Sequence, residues 1–164
     1  MNAWIGKYAR LPVIVGIVVI ADQLTKWWVL RGIGGYEVIP IIPGFFNLIH
    51  VQNPGGAFGF FAGQSPQLRA LFFIFFSLLA VGLILYLYRT TPANYKWLLT
   101  GFSLIVGGAV GNLIDRIRFG HVVDFIDLYV GKLHWPAFNI ADSAITIGML
   151  IFAGYLITKK YPVE

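Results

Sequence analysis

The sequence predicts an all-α integral membrane protein, with four transmembrane helices and a small extracytoplasmic β-containing loop region. Three observations carry that prediction. Hydrophobic residues make up 58% of the chain and charged residues only 12%, whereas a soluble domain carries about 25% charged residues. Mean hydropathy is +0.76. Four apolar runs also approach the roughly 20 residues that cross a bilayer as helix. At 164 residues the chain reads as one membrane-embedded domain, residues 1–164, with its core built between helices in lipid.

Charge and composition narrow the function. The net charge is +5, but the basic residues cluster at the ends of apolar runs: Lys7, Arg10, Arg89, Lys96, Lys159 and Lys160. That is the pattern of topology signals and contacts with membrane lipid headgroups. No basic helix with interleaved aromatics is present, so nucleic acid is not an expected partner. The chain has no cysteine, which excludes disulfides, thiolate metal sites and a cysteine nucleophile.

The first span is expected over residues 11–30. It follows Lys7 and Arg10 as a signal peptide would, but no small-residue cleavage site follows it, so a retained span is expected. Residues 31–67 are too long for a mere turn. Gly32, Gly34, Gly35, Pro40, Pro43 and Gly44 break helix there, while Glu37–Ile42 and Phe46–Gln52 have strand character. Gly59-Phe60-Phe61 is apolar but too short to span and fits a short interfacial element. The remaining spans are expected over 68–88, 97–113 and 135–157, with Trp97 and Trp135 as interfacial aromatics. Gly107-x-x-x-Gly111 gives the third span a small face for close helix contact.

An even number of spans puts both termini on one side. The raw Lys and Arg count at the two sides is level. With Lys26 and Arg116 set aside as paired to nearby aspartates, it favours cytoplasmic termini and long loops on the outer side.

Four of the seven acidic residues fall between Gly107 and Ile145: Asp115, Asp124, Asp127 and Asp142. A carboxylate beside hydrocarbon is costly and marks a functional position with a partner nearby. If Asp124 and Asp142 meet, like charge raises one of them and the pair holds a single proton, the arrangement for acid–base chemistry without metal or cofactor. Spacing alone leaves another reading open: Asp124 as a loop residue, and Asn139, Asp142 or Ser143 capping a fourth helix that has Pro136 in its first turn. Asn112 lies three residues before Asp115 and four before Arg116, so these side chains share adjoining helical faces. There Arg116 is either a forked donor to substrate or an interfacial cation beside Asp115. Asp22 and Lys26, four apart, read as a structural ion pair. Asn53 and Gly55 read first as a turn. His50, His121 and His134 lack metal-ligand spacing, and no nucleophile elbow occurs.

Five segments together resemble the lipoprotein signal peptidase (signal peptidase II) family: Asp22-Gln23-Leu24-Thr25-Lys26; Asn53-Pro54-Gly55-Gly56-Ala57-Phe58; Gly107 through Arg116; Val122-Val123-Asp124-Phe125-Ile126; and Phe138-Asn139-Ile140-Ala141-Asp142-Ser143-Ala144-Ile145. They stand in the family's order from Asp22 to Ile145. The resemblance implies an aspartic intramembrane endopeptidase of the bacterial inner membrane. Its expected substrates are diacylglyceryl-modified prolipoproteins, cut just before the lipidated cysteine. Asp124 and Asp142 match the catalytic pair. Asn112, Arg116 and Asn139 match polar residues around the substrate, and Asn53 and Gly55 lie in the outer-leaflet motif. Asp22, Lys26 and Asp115 match supporting positions. No cofactor is implied, the cyclic peptide globomycin is an expected inhibitor, and a monomer is the expected state. Pro54-Gly55-Gly56 departs from the Thr-Gly-Ala of many members. The competing class is a small proton- or cation-coupled transporter, which uses intramembrane carboxylates but ordinarily shows an internal repeat.

Overall fold

The computed structural model describes residues 3–35, 37–55 and 65–158, with side chains from residue 6. In chain order the elements are α1 (Ala3–Gly32), β1 (Val38–Ile42), β2 (Phe46–Asn53), α2 (Pro66–Thr90), α3 (Lys96–Phe119), β3 (Val122–Val130), β4 (Leu133–His134) and α4 (Ile140–Ile157). All four helices are long and apolar enough to cross a membrane. The segment Gly59-Phe60-Phe61 lies outside the described residues.

α3 is the central helix, and its residue choice explains why. Gly101, Gly107, Gly108 and Gly111 put no side chain between it and its neighbours, so α1 and α4 approach its backbone. A methyl group on Gly107 would stand 2.9 Å from Val18 Cβ on α1, and one on Gly108 would collide with the Ala141 carbonyl of α4. Below this small face, Leu98, Leu99, Phe102, Ile105 and Val106 form the apolar core with Ile84 and Tyr88 of α2. α2 otherwise turns a broad apolar surface outward, as a lipid-facing helix does.

The four strands form one antiparallel sheet in the order β1-β2-β3-β4. Residues Val123 and Phe125 on one face of β3 pack on Val29 and Ile33, at and just past the end of α1. The sheet therefore sits on the bundle at the end where α1 and α3 finish. β1 and β2 arise where β-like runs are expected. β3 adds a third long strand in the connection between the last two helices, next to β2 in the register Val51↔Asp124 and Asn53↔Val122.

Several boundaries differ from the expected spans, each for a local reason. α1 begins by Ala3 rather than near residue 11, and Pro12 is accommodated within it. α3 continues past residue 113 to Phe119, so Asp115 and Arg116 lie inside the helix. It ends at Gly120, whose φ of 76° suits a residue without Cβ. α4 begins at Ile140 rather than Trp135. Phe138 instead pairs with Ile126 of β3, which holds the segment around Pro136 extended and leaves that proline outside the first turn.

Lys7, expected as a headgroup contact, is buried instead. Its ammonium donates to the carbonyls of Arg89 and Thr91 at 2.8 and 2.7 Å, closing the end of α2.

Candidate active site

The helix ends under the sheet bring eight of the ten candidate side chains into one polar cluster. Asp22 and Lys26 come from α1, Asn112 and Asp115 from α3, Asp124 from β3, Asn139 and Asp142 from the start of α4, and Asn53 from the end of β2. Gly55 holds the turn beyond Asn53, and Arg116 stands at the edge.

One half of the cluster is an ion triad. The Lys26 ammonium lies 2.9 Å from Asp22 Oδ2 and 2.8 Å from Asp115 Oδ2, and it donates to Asn112 Oδ1 at 3.0 Å. Its three donors therefore meet three acceptors, as a buried ammonium requires. The remaining carboxylate oxygens bind the frame. Asp22 Oδ1 accepts from the Ala141 N–H at 3.0 Å, and Asp115 Oδ2 also accepts from the Val123 N–H at 3.1 Å. Gln23, which the sequence reading did not single out, donates to Asp115 Oδ1 at 2.9 Å. Its signal was an amide adjoining Asp22 in an apolar run. Gly111 completes the fit, since a Cβ there would stand 2.7 Å from Asp22 Oδ2.

The other half holds Asp124 and Asp142, and amides take the place of the cation. Asp124 is 1% exposed. Its Oδ1 accepts from Asn139 Nδ2 at 2.7 Å and its Oδ2 from Asn53 Nδ2 at 2.9 Å. Asp142 Oδ1 accepts from Asn112 Nδ2 at 2.7 Å, and its Oδ2 accepts from the Asn139 N–H at 3.3 Å. Asn139 Nδ2 also approaches Asn112 Oδ1 at 3.2 Å, so the two asparagines link the carboxylates. Among the described residues neither Asp124 nor Asp142 has an ion-pair partner.

Local structure fixes each side chain. Asn139 is the N-cap of α4, and its Oδ1 accepts from the Asp142 N–H at 2.9 Å in a reciprocal capping box. The capping role left open by the sequence is thus realised by the carboxylate whose charge also reaches Asp124. Asn53 Oδ1 accepts from the Gly55 N–H at 2.9 Å, which leaves its amide N–H groups aimed at Asp124. Gly55 has a φ of 86° and packs against Phe73, whose ring a Cβ would approach to 2.5 Å. Both facts restrict that position to glycine.

Burial pushes the Asp124 carboxyl up. The Asn53 bond opposes that rise, the Asp142 charge adds to it, and the Asn139 bond and Lys26 charge oppose it again. The balance stands at about 6.

Arg116 differs from expectation. Among the described residues no carboxylate is within ion-pair reach of it. Its guanidinium lies 5.5 Å from the Phe73 ring centre and makes a long 3.4 Å contact to the Asn112 carbonyl. With Arg116 unpaired and Lys7 buried, the charge count no longer favours one orientation.

A groove of about 600 Å³ opens onto Asp142 and Asn53. Trp135, Pro136 and Phe138 form one wall, and Thr146 and Ile147 of α4 form the other. Its size and mainly apolar lining suit an organic ligand. The Trp135–Phe138 wall was not anticipated, because a hydropathy reading assigns those residues to the fourth helix.

Comparison with known proteins agrees over nearly the whole chain. The family described as signal peptidase (SPase) II matches residues 14–158. The lipoprotein signal peptidase of Desulforapulum autotrophicum is 54% identical, over 93% of this chain and 94% of the relative. That of Syntrophus aciditrophicus is 46% identical, over 88% and 90%. A solved bacterial membrane enzyme is similar with a TM-score of 0.80 at 31% identity, covering 93% of both chains. A second has a TM-score of 0.77 at 32% identity.

Proposed function

The chain belongs to the signal peptidase II family, and from that premise we propose that it cuts diacylglyceryl-modified prolipoproteins just before the lipidated cysteine, using Asp124 and Asp142 to activate water. The single observation that carries the reading is a buried carboxylate, Asp124, bridged through Asn112 and Asn139 to the half-buried Asp142, which opens on a largely apolar groove.

The chemistry follows from the unequal surroundings of the two carboxyls. Asp142 sits in the first turn of α4, where helix N–H groups stabilise negative charge. Asp124, raised to about 6, is the member suited to hold the shared proton. Asp142 then draws a proton from water as its oxygen bonds to the scissile carbonyl carbon. Asp124 donates its proton to the carbonyl oxygen. When the tetrahedral centre collapses, that oxygen returns its proton, the C–N bond breaks, and the cysteine nitrogen leaves protonated by Asp142. Arg116, free of ion pairs among the described residues, offers donors to substrate carbonyls at the rim.

The chain is a bacterial membrane protein by family and by its four apolar helices. Its proposed place is the inner membrane, with the sheet and groove at the outer face and both termini cytoplasmic. An exported signal helix carrying acyl chains enters such a groove sideways from lipid, near the depth of its own cleavage point.

The test is cleavage of a synthetic diacylglyceryl lipobox peptide by detergent-purified enzyme. The reading expects one cut before the modified cysteine and inhibition by globomycin. No cleavage by folded enzyme in several lipids would overturn it.

A further inference from the structure

Asp127 is a buried carboxylate that belongs neither to the proposed mechanism nor to the Lys26 ion triad. Its side chain joins three strands. Asp127 Oδ2 accepts from Asn47 Nδ2 of β2 at 2.8 Å, and Oδ1 lies 2.8 Å from His134 Nδ1 of β4. The His134 ring stacks on Tyr129 at 5.0 Å and 8° between planes, and the Tyr129 hydroxyl accepts from the Gly44 N–H at 2.8 Å. Burial alone would raise the Asp127 carboxyl. The bonds from His134 and Asn47 outweigh it and leave the group below its ordinary value, so the pair is charge-assisted.

The location of this latch gives it a consequence. β4 is only Leu133–His134, and Trp135 follows directly as the start of the groove wall. The wall has backbone anchors at its two ends: the Trp135 N–H to the Leu128 carbonyl at 2.8 Å, and Phe138 paired with Ile126. Between those anchors Pro136 lacks an N–H to offer, and Trp135 presents a side chain that is 68% exposed. A two-residue strand is a weak clamp, and the His134–Asp127 bond fixes it further, together with the stack of His134 on Tyr129.

We propose that His134, held by Asp127, is a positioning residue for substrate: through Trp135 and Pro136 it sets the wall against which the lipidated peptide packs. This rests on the lipoprotein-peptidase reading. His134 touches neither Asp124 nor Asp142, so its loss acts on substrate binding and leaves the chemical step alone.

The experiment measures kcat and KM for the diacylglyceryl lipobox peptide with full-length wild type, His134→Phe and His134→Asn. Phenylalanine keeps the stack on Tyr129 and removes the donor. Asparagine restores an N–H near the place of Nδ1. The expected result for His134→Phe is a KM raised about five- to tenfold, the net size of one lost hydrogen bond at a half-exposed site, with kcat within about twofold. His134→Asn is expected to recover most of the difference. An unchanged KM in His134→Phe, a fall confined to kcat, or a His134→Asn variant no better than His134→Phe would overturn the proposal. Should His134→Phe fail to fold, Asp127→Asn decides. It keeps the shape and loses the charge, so a KM equal to wild type overturns the proposal and a raised KM with kcat preserved supports it. Wild type that cleaves no lipobox peptide removes the underlying reading and this inference with it.

Discussion

Asp22 and Asp115 lie beside Asp124 and Asp142 in one buried cluster, and the two pairs differ in what answers their charge. Between the first pair stands Lys26, with every donor used. Between the second stand two asparagine amides and no cation. Both arrangements satisfy hydrogen bonding, and the second includes Asp124, whose carboxyl is pushed up by burial to about 6. The ammonium offsets part of the charge of two carboxylates and ties three helices and a strand together, whereas the amides hold Asp124 in place and only partly oppose the rise that burial gives it. The difference separates scaffold from chemistry within a single network, and Asn112 is the joint, accepting from Lys26 and donating to Asp142.

The largest effect that tests this contrast is on the uncompensated pair. Asp124→Asn and Asp142→Asn are each expected to reduce cleavage by at least about 10³-fold, the scale on which one positioned acid or base contributes. Thermal unfolding in detergent checks that the variants remain folded. Activity within tenfold of wild type in either one would remove the dyad. The compensated pair is expected to respond in stability instead. Lys26→Met strands two buried carboxylates and is expected to cost about 3–5 kcal/mol. The triple change Asp22→Asn, Lys26→Met, Asp115→Asn strands no charge and is expected to be milder. If the triple variant unfolds as readily as Lys26→Met alone, the cost of losing Lys26 does not come from the carboxylates it leaves unpaired.

Much of this contrast was legible in the sequence, and the remainder is tertiary. Asp22 and Lys26, four residues apart in an apolar run, announced their pairing. The apolar runs announced the spans, because lipid imposes length and hydropathy on a helix whatever its neighbours. β3 was harder to see. Asp124 and Asp127 stand three apart on opposite faces of the strand, so neither alternation nor helical period emerges. The start of α4 was hidden because Trp135 and Phe138 are apolar whether they lie in a helix or against a sheet. Lys7 looked like a topology charge because its partners are backbone carbonyls, which no residue type reveals. Arg116 sat beside Asp115 in the chain, but adjacent helical residues point apart, and its side chain went to Phe73 instead.

A finer test alters one amide of the uncompensated pair. The Asn53 bond favours the ionised form of Asp124, so Asn53→Ala raises that carboxyl further above its ordinary value. The dyad then keeps its shared proton to higher pH. The expected result is a loss of about tenfold in kcat/KM, the scale of one positioning bond to a charged group. It comes with an alkaline limb displaced upward from the wild-type midpoint, itself expected near the Asp124 value of about 6. A pH–rate profile from pH 5 to 9 reads both. An alkaline limb that stays in place, or moves down, would show that the proton lost there is not held by Asp124.

The smallest expected effect concerns the hydroxyl next to Asp142 in the chain. Ser143 follows Asp142 and lines the same groove, so position alone would admit it to the reaction. Its hydroxyl, however, donates to the Asn139 carbonyl at 2.9 Å, a bond within the first turn of α4. That carbonyl also accepts the Ser143 N–H at 3.1 Å, so it keeps a partner when the hydroxyl is removed. Ser143→Ala is therefore expected to leave kcat and KM within about twofold and stability within about 0.5 kcal/mol. A tenfold or greater fall in kcat at unchanged stability would place a third proton-bearing group beside the two carboxyls. The chemistry would then have to be drawn around three residues, Asp124, Asp142 and Ser143, rather than the two carboxyls alone.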